Sequence, residues 1–123
     1  MVAIRNFGGQ IILKVYENDK ITDFFGMIKF WIVGSKIADF SRVILYQIDG
    51  EWITDFYGKK LYRLSGSEFR DFYGKVVLRF EGNTIKDFGG RILYKYDSSL
   101  NDTSKKILGT LYMEYGSLEN AVK

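Results

Sequence analysis

A tetrad, Asp-Phe-x-Gly, returns along this chain at an almost fixed interval, and a period that short leaves few folds open. It stands as Asp23-Phe24-Phe25-Gly26, Asp55-Phe56-Tyr57-Gly58, Asp71-Phe72-Tyr73-Gly74 and Asp87-Phe88-Gly89-Gly90, with the variants Asn6-Phe7-Gly8-Gly9 and Asp39-Phe40-Ser41-Arg42. An apolar residue lies two places ahead of each: Ile4, Ile21, Ile37, Ile53, Phe69 and Ile85, seventeen residues apart once and then sixteen apart four times. A unit of this length cannot bury a face alone, so the copies must stack or close on one another.

After each tetrad comes a segment of strand formers, such as Lys75–Glu81, and then a second turn signal: Gly34-Ser35, Gly50-Glu51, Gly66-Ser67 and Gly82-Asn83. Gly followed by a small polar residue is the two-residue type II′ hairpin signature, with Gly taking the positive φ. Asp-Phe-x-Gly reads as a type I turn in which Asp accepts from nearby backbone N–H groups and Gly relaxes the exit. Each unit is therefore a short strand, a turn, a longer strand and another turn. The units fall at about residues 2–18, 19–34, 35–50, 51–66, 67–82 and 83–97.

A flush two-residue Phe-x loop puts Ile53 on one face with Lys60, Tyr62 and Leu64, and its equivalents with Ile28, Phe30, Ile32 or Val76, Leu78, Phe80. A bulged three-residue loop shifts the pairing by one and splits those sets between faces. The flush register is preferred because it keeps one apolar face through all twelve strands, with Lys60 as the exception. The expected fold is all-β: six tandem hairpin repeats in an antiparallel meander, closed into a ring, a flattened barrel or a flower-like assembly about an axis. A round twelve-stranded barrel is too wide for strand side chains to fill. The six tetrad Phe residues are expected to gather near one end.

The period breaks after Tyr96. Residues 97–106 read as a polar insertion, and residues 107–116 as one or two strands that close or cap the ring. The chain of 123 residues is taken as one domain.

Composition narrows function. The chain has no Cys and no His, which removes disulfides, thiolate chemistry, every His-containing triad and the commonest metal ligands. Six in-phase Asp or Asn residues mean turn caps; a cation site needs carboxylates that converge, and turn carboxylates point at local N–H groups. The expectation is a non-enzymatic protein with no catalytic residue, metal or cofactor. No apolar run approaches a membrane-spanning helix, and the first residues carry no basic-then-apolar leader, which favours a cytoplasmic location. Net charge is +3, too weak alone to argue for nucleic acid.

The pattern Ile-x-Asp-Phe-x-Gly, an aliphatic and aromatic strand and a Gly turn resembles the hairpin repeats of the small bacterial proteins called β-flowers. That resemblance covers residues 2 to about 97 and implies hairpins arranged about an axis, with no functional residue to transfer. Those proteins have four or five repeats; this chain has six and an irregular C-terminus.

Two surface features are candidate sites. In repeats four to six the outward positions read Lys59-Leu61-Arg63, Lys75-Val77-Arg79 and Arg91-Leu93-Lys95, six cations in two rows along a line of aliphatics. This is either a solvated face whose long stems cover the aliphatics, or a groove for an acidic polymer, a nucleic acid or an anionic surface. Phe25, Tyr57 and Tyr73, at the second loop position, are expected in solvent, where they would stack on a glycan or pack on a partner protein or second copy. Trp31 and Trp52 also fall outside the core phase. The expected role is a binding or assembly module, with glycan binding through the loop aromatics and polyanion binding through the basic stripe as its alternatives.

Overall fold

In the computed structural model, which describes residues 1–123, each repeat supplies one hairpin. β1 (Val2–Asn6) pairs with β2 (Ile11–Tyr16), β3 (Lys20–Asp23) with β4 (Ile28–Val33), β5 (Lys36–Asp39) with β6 (Ile44–Asp49), β7 (Trp52–Asp55) with β8 (Lys60–Ser65), β9 (Glu68–Asp71) with β10 (Val76–Glu81), and β11 (Thr84–Asp87) with β12 (Ile92–Tyr96). Every strand also pairs antiparallel with the next hairpin, and β12 returns to β1, with Ile4 opposite Tyr96 and Arg5 opposite Lys95. The sheet is a closed twelve-stranded barrel without a free edge. Its meander order puts all six tetrad turns at one end and all the Gly-x turns at the other.

The Gly-x turns are as expected: Val33 faces Lys36 across Gly34-Ser35, and Gly34 has φ 61°. In the first repeat Tyr16 faces Lys20 across a three-residue loop with Asn18 at φ 63°, which accounts for its one extra residue.

The tetrad turns correct the flush register. Gly58 N–H donates to Asp55 O at 3.1 Å, Asp55 N–H donates to Lys59 O at 2.9 Å, and Gly58 lies at φ 86°. This is the bulged three-residue loop. A second bulge follows, because Thr54 faces Lys60 while Ile53 faces Tyr62, leaving Leu61 extra. The other five repeats shift at the same place. Two bulges add an even number of residues, so Tyr62 and Leu64 still share the inner face with Ile53. Only the stretch between the bulges exchanges sides. Lys60 is exposed, its Nζ 4.8 Å from the centroid of the outer Trp52 ring, whereas Ile12, Leu45, Val77 and Leu93, at the Leu61 position, pack against the core. Bulges bend and twist the longer strands, as closure requires.

The C-terminal expectation fails. The segment expected to supply closing strands at 107–116 forms α1 (Asp102–Tyr115), followed by the short α2 (Leu118–Ala121), and closure falls to β12 instead. Of the supposed insertion 97–106, only residues 97–101 form a connector. Asn101 caps α1, its side-chain oxygen accepting from Ser104 N–H at 2.8 Å, and Gly116 ends it at φ 85°. The physical reason is volume. A twelve-stranded barrel leaves a lumen that strand side chains cannot fill, and α1 fills it. Ile107, Leu108, Gly109, Thr110 and Leu111 are buried in succession, so this part of the helix is enclosed on all sides. Ile107, Leu108 and Leu111, with Leu118, join Ile4, Leu13, Ile21, Phe30, Ile37, Ile53, Phe69, Leu78, Ile85 and Tyr94 in one core.

The helix runs from the Gly-x end to the tetrad end. Near its start Asn101 N–H donates to the Glu17 carboxylate at 2.7 Å, and Lys106 Nζ donates to Gly50 O at 2.6 Å. Its far end carries Glu114, which Tyr62 reaches through its hydroxyl at 2.6 Å.

Candidate functional site

At the tetrad end the Asp side chains are committed to their own loops. Asp55 Oδ1 accepts from Tyr57 N–H at 2.8 Å and Lys59 N–H at 2.9 Å, and Asp23, Asp39, Asp71 and Asp87 repeat the pair. These bonds hold the two central loop residues outside the barrel, and both are aromatic in three repeats. Phe7, Phe24, Phe40, Phe56, Phe72 and Phe88 are 51–73% exposed, and Phe25, Tyr57 and Tyr73 are 88–90% exposed. Within a loop the paired rings meet edge to face at 5.2–5.4 Å. Met27 and Val43 extend the apolar surface in repeats two and three; Lys59, Lys75 and Arg91 take that place in repeats four to six. The result is a crown of aromatics on one rim; the residue after the tetrad is cationic only in repeats four to six, while Arg42 in repeat three and Lys14, 5.9 Å from the Phe24 ring centroid, place further cations around it. An exposed apolar surface of this kind marks an interaction site.

The two candidate sets of the sequence therefore partly merge. Lys59 and Tyr73 line one cleft of about 340 Å³ between repeats four and five, with Phe72 beside them. Lys75 Nζ stands 5.5 Å from the Phe88 ring centroid, and Arg91 shares a cleft with Phe7. Phe25 lines another cleft beside Glu119 and Val122, and Tyr57 packs against Phe56. Arg63, Arg79 and Lys95 are not brought to this rim but lie on the outer wall. Arg63 pairs with Glu51 at 3.0 Å, and Arg79 Nε stands 3.7 Å from Glu68, so two of the three wall cations have acidic neighbours. The expected outward line of aliphatics is also absent, since Val77 and Leu93 turn inward at the second bulge. Trp31 stacks under Arg42 at 4.1 Å, and Trp52 lies between Lys60 and Arg63, so both indoles are engaged by the chain's own cations on the outer wall.

Inside the crown the mouth is acidic and phenolic. Glu114 accepts from Tyr62 at 2.6 Å and Tyr46 at 3.4 Å, and Glu119 accepts from Tyr94 at 2.5 Å. Burial first, and the neighbouring carboxylate second, hold the Tyr46, Tyr62 and Tyr94 phenols well above their usual range. Sequence reasoning missed Glu114 because it lies on the segment read as strand, and Glu119 because it lies in the short tail beyond it, to which no element was assigned. Arg42, Met27 and Val43 were also missed as rim residues; the signal was available, since a meander places every tetrad exit at one end. No family model, curated protein or solved structure matches the chain.

Proposed function

We propose that this protein is a non-catalytic binding module whose tetrad rim docks on an anionic membrane surface. The observation carrying this reading is the set of nine exposed loop aromatics on one end of the barrel, with Lys59, Lys75 and Arg91 among them. Loop tips arranged around one end suit a flat partner. All six first-loop residues are Phe, which offers a hydrocarbon phase a ring with no polar edge to desolvate. Cations beside such rings sit at headgroup level and are drawn to anionic lipid. The strands have four to six residues, against the roughly 9–11 that a spanning strand needs, so contact is with the surface. A glycan surface is disfavoured by the scarcity of polar rings, and polyanion binding along the wall by the acidic neighbours of Arg63 and Arg79.

Co-sedimentation with phosphatidylcholine vesicles, with and without phosphatidylserine, tests it. Binding is expected only with the anionic lipid and should weaken as salt rises. Phe25→Ser with Tyr57→Ser and Tyr73→Ser should weaken it about ten-fold or more, a loss of about 1.4 kcal/mol. Lys59→Ser with Lys75→Ser and Arg91→Ser should remove the salt dependence, while Arg63→Ser with Arg79→Ser and Lys95→Ser should leave binding intact. Wild type that ignores anionic vesicles at low salt, or a wall variant that loses binding while the rim variants keep it, overturns the reading.

A further inference from the structure

Where α1 gives way to α2, a cleft of about 330 Å³ opens at the mouth of the barrel. Phe7, Tyr94, Tyr112 and Glu119 are among the residues lining it. The rings of Tyr94 and Tyr112 stand edge to face at 6.2 Å, and Phe7 forms an exposed lip. Tyr94 donates its hydroxyl to Glu119 Oε1 at 2.5 Å, and its oxygen accepts from Leu118 N–H at 3.1 Å. These bonds fix the carboxylate at one oxygen. No cation neutralises it: the ion pairs of the molecule are Arg63–Glu51, Arg70–Glu68 and Arg79–Glu68. A carboxylate without a counter-ion, anchored by the buried Tyr94 beside the rings of Phe7 and Tyr112 in an open cleft, has the chemistry that recognises a positively charged, weakly hydrated ligand.

We infer that this cleft binds a small organic ammonium ion, with Phe7 and Tyr112 presenting aromatic surface to the cation and Glu119, positioned by the buried Tyr94, serving as its counter-ion. Ring quadrupoles attract the charge and the alkyl groups cover apolar surface, so an isosteric neutral alcohol loses the electrostatic part and a sodium ion loses the apolar part. The inference stands apart from the rim reading, because its test needs no membrane.

The full chain is titrated with tetramethylammonium chloride and followed by NMR at the ring and amide signals of Tyr94, Tyr112 and Glu119. Sodium chloride and tert-butanol serve as controls. Tetramethylammonium alone should shift those signals saturably. Glu119→Gln should weaken binding about ten-fold or more. Because that variant also alters the Tyr94 bond, Phe7→Ala, on an exposed loop, provides a second measurement and should weaken binding several-fold. Equal shifts with tert-butanol, unchanged affinity in Phe7→Ala, or no saturable shift in wild type overturns the assignment. If it binds, choline compared with glycerophosphocholine, the soluble headgroup, separates a free ammonium compound from a lipid headgroup. Failure here leaves the vesicle result on the rim unaffected, and the reverse also holds.

Discussion

Gly109 shows at the scale of one residue how closely α1 is fitted into the barrel. A Cβ at that position would stand 2.6–2.8 Å from three ring carbons of Phe69, which is itself fully buried. Two effects of Gly109→Ala oppose each other. Alanine favours a helix over glycine by about 1 kcal/mol, while forcing extra volume into a packed core costs about 1–3 kcal/mol. The ring lies between helix and wall and has nowhere to move, so the steric term should win and the variant should lose about 1 kcal/mol. Adding Phe69→Leu should recover part of that loss. Chemical denaturation of the two single variants and the double decides it; a stabilised Gly109→Ala would mean that the helix is not seated against Phe69. The tetrad glycines have a different role. Gly58 has open space around it but a φ of 86°, so Gly58→Val should cost on the order of 1 kcal/mol or more through backbone strain alone. Arg42 occupies the same position at φ 68° without being glycine, and its guanidinium lies over Trp31, a contact that offsets part of the strain.

The elements differ in how far they could be read before they were seen. The hairpins were legible because their signals are local: the marker spacing and the Gly-x turn chemistry fix geometry within a few residues, whereas the tetrad loop, read as flush, is bulged at its Gly. The second bulge was not legible, since nothing in Lys60-Leu61 announces that an outward and an inward position trade places. The helix was missed for a third reason. Ile107–Tyr115 carries apolar and aromatic residues that also suit a strand, and its true determinant is a lumen that exists only once the barrel has closed. The capping residue Asn101 and the acidic Asp102 were the local clues. Of the candidate site, the loop aromatics were readable from their turn position, whereas the carboxylates of the mouth fell with the helix. Those carboxylates give the helix end a pH dependence. The fold holds the phenolic protons of Tyr46, Tyr62 and Tyr94 more tightly than the unfolded chain does. Stability from these groups is therefore complete below the ordinary phenol pKa of about 10 and is lost as pH rises above it. The thermal midpoint should fall above about pH 10, and Tyr62→Phe should make that fall shallower. An equally steep decline in Tyr62→Phe would remove this phenol from the account.

At the scale of the whole molecule, wall and helix form one closed system. A single hairpin is not stable alone, a closed sheet offers no end from which to fray, and the inner face of every repeat contributes to the core that encloses α1. Secondary-structure and aromatic signals should accordingly be lost in one coincident thermal transition. Deleting residues 53–68 makes a sharper test, because it removes one full period and keeps every turn signal in phase. In a stack of independent units the shorter chain would fold. In a closed barrel, losing two strands shortens the circumference by about 10 Å at the usual strand spacing, and hence the diameter by about 3 Å. The helix, about 10–12 Å across with its side chains, then no longer fits. The deletion also takes Tyr62, which holds Glu114, and Leu64 from the core. The shortened chain should be insoluble or melt without cooperativity. A cooperatively melting five-repeat protein, with the amides of residues 107–111 still protected from exchange, would show instead that the lumen adapts to its strand number and that the helix does not set the size of the barrel.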